Sequence, residues 1–326
     1  MLTEEHMREL IAGVLDEEAI DEFDSTLEYN TAIQWNEQAR FRLNVFKQRQ
    51  HSGMVLRRVK TDIPTIEQLN LPAPYADLSM AKRGLVLIVG ATGSGKSTSL
   101  AAMLNHRNEH VSGHIITIED PVEFLHSHKK CIVSQRDVGI DTYSYGIALK
   151  NVLRQRPDVI VIGEIRDRDT MEHALQFSET GHLCIATLHA GNAVQALERI
   201  VSMFPEDKHK QIWLSLSINL KGILCQRLIS NAANSRSLVN EIMLNSGLIR
   251  NLLYDGQVSD IPEMISKSHD QGMVTFDQSL MSLIEAKEID ESTAVEEADN
   301  AANIKLQLTK SSMNQRLGNV EKTSQF

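Results

Sequence analysis

The sequence predicts an α/β protein, a mainly parallel sheet covered by helices, with a smaller α+β unit ahead of it. Three observations carry this reading. From about residue 80, short apolar runs alternate with helix-like segments, the pattern of parallel strands joined by crossover helices. Gly90-Ala91-Thr92-Gly93-Ser94-Gly95-Lys96-Ser97-Thr98 stands between a strand-like run and a helix-like one. Pro64, Pro72 and Pro74 fix their own φ and push their predecessors towards extended backbone, which marks a linker between the two parts.

The elements follow in order. Met7, Leu10, Ile11, Val14 and Leu15 recur at helical spacing. Residues 40–46 alternate polar and apolar, as a half-buried strand does. Residues 54–59 form its partner, with Gly53 and the polar residues before it as the turn. This α+β domain spans 1–60, and the linker 61–79. The larger domain covers 80–310. Its strands are expected at 85–89, 114–118, 131–134, 159–162 and 183–187, and its helices at 97–105, 145–153 and 169–177. Beyond residue 190 the chain reads as mostly helical, most clearly over 211–220 and 275–286. Residues 311–326 are polar and read as a mobile tail.

Composition excludes several classes. The chain has 326 residues, 42% of them hydrophobic and 23% charged, so it can bury a full core and is not disordered. A net charge of −10 argues against a dedicated nucleic-acid binder. Three dispersed cysteines, with no C-x-x-C, exclude a disulfide framework and fit a reducing compartment. No apolar run approaches membrane-spanning length, and the acidic start lacks the features of a signal peptide. A cytoplasmic protein without membrane insertion is therefore expected.

The 90–97 segment fits G-x-x-x-x-G-K-[ST], the P-loop. Its glycines let successive N–H groups turn inward as an anion nest, and the helix that follows aims its positive end at the phosphates. Lys96 is expected on the β- and γ-phosphates, and the Ser97 hydroxyl on magnesium. Val159-Ile-Val-Ile-Gly163-Glu164 then supplies a buried strand ending in a carboxylate, suited to a water-mediated magnesium contact. Thr117-Ile-Glu119-Asp120-Pro-Val-Glu123-Phe places three acids after a strand, one of them a candidate to activate water. His182 and His189 flank a strand and could report on the γ-phosphate, although a strand-edge histidine is more often structural. Arg40, Arg42, Arg57 and Arg58 form a basic cluster on the small domain, open to a solvated strand face or to γ-phosphate contacts in trans. The histidines show no metal-ligand spacing.

Together these segments resemble the secretion-ATPase superfamily, and within it the PilT/PilU family of type IV pilus retraction ATPases. The order fits: P-loop, TIEDPVEF (Asp box), VIVIGE (Walker B) and GHLCIATLHA (His box). GMVLRR at 53–58, ALKNVLRQRPDVIVIGE at 148–164 and QGMVTFDQSL at 271–280 look most like the PilU branch. The resemblance implies a RecA-like ATPase core, a PAS-like N-terminal domain and a homo-hexamer with ATP and Mg²⁺ between neighbouring subunits. It implies hydrolysis coupled to pilus retraction and twitching motility, next to a sister PilT-like ATPase and an inner-membrane platform protein. Carried over by position, Lys96 binds phosphate, Glu164 is the Walker B acid, Glu123 the general base, His182 and His189 the His-box residues, and Arg42 and Arg57 γ-phosphate ligands.

Two departures stand out. The family carries a longer N-terminal part, so either the start of the chain is misassigned or the small domain is incomplete. Gly247-Leu-Ile-Arg250-Asn-Leu252 stands where retraction ATPases carry A-I-R-N-L-I, which leaves room for an accessory subunit that binds ATP and assists a sister motor. The absence of a tetracysteine element favours retraction over extension. There is no N-K-x-D for guanine, which separates the chain from small GTPases.

Overall fold

A computed structural model describes residues 3–36, 39–231, 233 and 235–310; the expected tail at 311–326 lies outside the described residues. The chain divides into two compact units. The first runs from the N-terminus to Leu71 and adds Ser79–Gly84 and Ser97–Ala186; the second holds Pro72–Leu78, Leu85–Lys96 and the chain from Thr187.

The first unit begins with α1 (Glu4–Ala12) and α2 (Glu17–Thr26). Thr3 caps α1 in a reciprocal capping box with His6, and Asp16 caps α2 by accepting from the Ala19 N–H at 2.9 Å. Their apolar faces cover a three-stranded antiparallel sheet of β1 (Glu28–Asn36), β2 (Ala39–Gln48) and β3 (His51–Val59). Ile11, Leu15, Ala19 and Phe23 from the helices meet Leu43 and Val45 from β2 to form the core. β1 was not expected, although Tyr29, Thr31, Ile33 and Trp35 alternate at strand period. The β2–β3 turn is Arg49-Gln50, both at positive φ (50° and 69°); it lies in the polar stretch expected to make it and leaves out Gly53. Gly53 lies inside β3, where a Cβ would fall 2.7 Å from the Phe46 ring.

The helix α3 (Ala73–Ser79) occupies the end of the segment read as a linker, with Pro74 in its first turn, where the missing N–H costs nothing. Next come the fully buried β4 (Gly84–Val89) and α4 (Lys96–His110). The first unit then holds β5 (Gly113–Glu119), β6 (Cys131–Asp137), α5 (Tyr145–Val152), β7 (Val159–Ile162), α6 (Arg168–Glu179) and most of β8 (Leu183–Leu188). Its strands are parallel in the order β8-β7-β5-β6. Strands β7 and β8 are buried along their whole length, as strands covered on both faces must be.

In the second unit α7 (Ala193–Ser202) and α8 (His209–Asn219) lead into β9 (Leu220–Ser230) and β10 (Arg236–Leu244). β9 pairs parallel with β4 and antiparallel with β10. The described chain after residue 190 is mostly helical, as expected, but this strand pair within it was not foreseen. The run Gly222–Cys225 is apolar and buried on both faces, so its periodicity does not separate strand from helix. Further helices are α9 (Gly247–Asp255), α10 (Ile261–Lys267), α11 (Phe276–Glu285) and α12 (Glu291–Glu297), and residues 301–310 are helical as well. Thr275 and Gln278 close a capping box on α11. Among the described residues no helix is long and apolar enough to cross a membrane.

Candidate functional site

The loop with the P-loop pattern occupies 90–96, between β4 and α4. A Cβ on Gly90 would lie 2.4 Å from Ser94 Oγ and 2.5 Å from the Gln226 carbonyl of β9, so only glycine lets the loop close there. Gly93 and Gly95 adopt φ of +80° and +91°, the left-handed turns that aim N–H groups into a nest. The Lys96 ammonium donates to the carbonyls of Gly90 (2.8 Å) and Ala91 (2.9 Å), which holds it over the loop. Ser94 Oγ is buried with no hydrogen-bond partner, an orphaned group that a phosphate oxygen would satisfy. Ser97 and Thr98 follow in the first turn of α4, half-buried.

The acids gather at the carboxyl ends of β5 and β7. Glu119, the last residue of β5, accepts from Thr117 Oγ1 (2.7 Å) and Gln135 Nε2 (3.3 Å), and burial pushes its carboxyl above the usual range. Glu164 follows Gly163 at the end of β7, and its Oε2 accepts from Arg166 Nε at 2.9 Å. Arg166 also pairs with Asp120 at 3.1 Å.

Glu123 is exposed, on a loop tied to the small sheet. The Lys60 N–H donates to the Glu123 carbonyl (3.2 Å) and the Leu125 N–H to the Lys60 carbonyl (2.9 Å), a short parallel bridge. Arg42 donates to the Val122 carbonyl, and its guanidinium faces Asp137, which is 2% exposed. Burial raises the Asp137 carboxyl, while Arg42 opposes the shift. Arg42 and Arg57 are direct cross-strand partners in β2 and β3, a like-charge pairing that costs energy unless anions face it. With Arg58, Lys60 and Glu123 they line an open cavity of about 110 Å³. The structure thus brings Arg42, Arg57 and Glu123 together within one chain.

The two histidines are not brought together. They stand at opposite ends of β8. The β7–β8 register pairs Val159 with Leu183 and Ile162 with Ala186, so His182 sits at the sheet edge opposite Glu164. There its Nδ1 lies 3.1 Å from Thr180 Oγ1. His189 ends β8 at the carboxyl side, with its carbonyl accepting from Arg199 at 2.9 Å. Sequence reasoning passed over Arg166 and Tyr145. Arg166 had a signal, two residues beyond Glu164 on one extended face; Tyr145 reaches the site from α5 and had none.

A glycine-rich turn between a buried strand and a helix, with a lysine at its end, is the mark of the P-loop class of nucleotide-binding proteins. Residues 27–315 match the family described as type II/IV secretion system protein. The chain is 50% identical to the type IV pilus ATPase PilU of Pseudomonas aeruginosa, over 94% of this chain and 81% of that protein. It is 37% identical to the type IV pilus retraction ATPase PilT of the same organism, over 91% and 86%. The crystal structure of the pilus retraction motor PilT with bound ADP superposes with a TM-score of 0.84 at 37% identity, covering 90% of this chain and 84% of that one. The chain belongs to the type II/IV secretion system protein family, among its PilT/PilU-type pilus ATPases. It carries their RecA-like core with a smaller N-terminal domain.

Proposed function

We propose that this protein is a magnesium-dependent ATPase that works as a homo-hexameric motor for type IV pilus retraction. It would act at the cytoplasmic face of the inner membrane with a platform protein and a sister PilT-like ATPase. The loop at 90–96 carries the reading: its glycines close an anion nest around the unpartnered Ser94 hydroxyl, and Lys96 stands over it.

In this reading the backbone of 90–98 cradles the phosphates, and Lys96 offsets their charge. Magnesium, arriving with the nucleotide, neutralises phosphate charge; the Ser97 hydroxyl and, through water, Glu164 suit it. Glu123 is the base for the attacking water, exposed and beside four basic side chains. Arg42 and Arg57 face phosphate supplied by a neighbour, which would relieve their mutual repulsion. Of the two histidines, His189 is the nucleotide sensor; His182 supports the far edge of the sheet.

ATP turnover across size-exclusion fractions tests this, with Lys96→Ala as the blank. Activity confined to a hexamer-sized peak is expected; turnover equal in the blank sinks the reading. Glu123→Ala should bind ATP without hydrolysing it. In mixed hexamers Arg57→Ala should silence the neighbour's site while its own P-loop works beside a wild-type arginine. The departure at Gly247–Leu252, on α9 with Leu248 exposed, favours a second reading, an accessory subunit. A hexamer that binds ATP, turns it over poorly alone and accelerates a sister motor would establish that one.

A further inference from the structure

The acids at the ends of β5 and β7 are oriented by groups outside those strands. Arg166 Nε donates to Glu164 Oε2 at 2.9 Å, and its Nη1 to Asp120 Oδ2 at 3.1 Å. One planar guanidinium therefore spans carboxylates from two strands. Its N–H groups diverge in fixed directions, which a lysine ammonium does not reproduce.

Tyr145, the first residue of α5, reaches the same place. Its hydroxyl accepts the backbone N–H of Glu164. It also lies 3.0 Å from where a Cβ on Gly163 would stand, a point 3.0 Å from Glu119 Cα and 3.2 Å from the Ile118 carbonyl. Gly163 thus lets the ends of β5 and β7 and the start of α5 close to contact distance.

We propose that Arg166 and Tyr145 are positioning residues for hydrolysis: Arg166 sets the Glu164 and Asp120 carboxylates against each other, and Tyr145 fixes the backbone from which Glu164 projects. The inference rests on Glu164 being the magnesium-side acid. Neither residue exchanges a proton or touches nucleotide. The Arg166 side chain is 55% exposed, and ion pairs at that exposure add little to stability, so the bridge serves geometry rather than folding. Partners of metal-side ligands are typically worth about 10–100-fold in metal affinity or activity.

The full-length protein and its Tyr145→Phe and Arg166→Lys variants provide the test. Turnover is measured, together with calorimetric binding of the non-hydrolysable analogue AMP-PNP, with magnesium and with EDTA. Each variant should lose about 10–100-fold in kcat with little change in KM. The affinity gained from magnesium should fall about tenfold while metal-free affinity stays put. Arg166→Lys should melt like wild type. Wild-type kcat and an undiminished magnesium gain in both variants overturn the proposal. So does an equal loss of metal-free binding, which marks a structural role. If the wild type itself neither binds the analogue nor hydrolyses ATP, the ATPase reading has failed, and that is visible before any variant is compared.

Discussion

The phosphate loop and the acidic strand ends reach their geometry by different routes. The loop is one contiguous stretch, and its working groups are mostly backbone. Glycine conformations set it, and Lys96 is held by carbonyls five and six residues back. The acidic end is assembled. Glu119, Asp120, Glu123 and Glu164 come from two strand ends. They are held by Thr117, by Gln135 of β6, by Arg166, by Tyr145 of α5 and by Lys60 of the small sheet. A device made of local backbone survives changes in its surroundings. One made of side chains depends on strand register and on every neighbouring packing contact.

Lys96→Ala has the largest expected effect. It deletes the only charged side chain of the loop at 90–96 and leaves the backbone nest in place. By analogy with removing one donor to developing charge, turnover should drop about 100- to 1000-fold. Thermal stability should hold near wild type, since the loop's shape rests on glycines. If the variant unfolds instead, the loop is not the self-contained device described here.

Two glycine substitutions sharpen the contrast. At Gly93 an added Cβ meets nothing within 4 Å, and only the positive φ of +80° resists it. Gly93→Ala should therefore cost about 1–2 kcal/mol, the strain of one left-handed residue. At Gly163 the Cβ meets backbone of Glu119 and Ile118, which cannot swing aside as a side-chain tip can. Gly163→Ala should cost about 1–3 kcal/mol through overpacking and also displace both acids, so turnover should fall further than stability suggests. Urea unfolding and turnover on the same samples read both quantities. A Gly163→Ala enzyme with full turnover would show that the close approach is incidental.

The same contrast explains how far the sequence could be read. The P-loop, the strand at 159–162 and the acids at 119, 120, 123 and 164 stood out because each lies within a few residues of its own signal. The arginines of β2 and β3 were visible as a basic cluster, but their meeting with Val122 and Asp137 depends on tertiary closure about eighty residues away in sequence, a separation at which spacing carries no information. His182 and His189 looked equivalent on paper. Parallel pairing of β7 and β8 separates them, because residues on either side of a strand end up at opposite edges of the sheet. β9 was lost for a different reason, since a strand buried on both faces has no alternation to show.

The last and smallest effect probes the packing behind the acidic loop. His126 follows the Asp box, with its N–H donating to Gln135 Oε1 at 2.8 Å and its Nδ1 buried without a partner. Gln135 also donates to Glu119 and to the Phe124 carbonyl, so this histidine backs the frame that holds the acids. Burial, aided by Lys129, pulls its pKa down to about 4. The folded chain thus keeps His126 neutral while the unfolded chain protonates it near its ordinary 6.5. Stability from the neutral form is complete above pH 6.5 and drains as pH falls towards 4, because the unfolded state binds the extra proton. Glu119 and Asp137 act in the opposite sense: their raised carboxyls take up protons in the folded state first and gain stability on acidification. Isolating the histidine requires a difference. Between pH 7.5 and 5.5 the wild type should lose about 1 kcal/mol more than His126→Gln, which cannot protonate. Equal losses in the two proteins would mean that water reaches this ring, and that the frame behind the Asp box is looser than the packing around the P-loop.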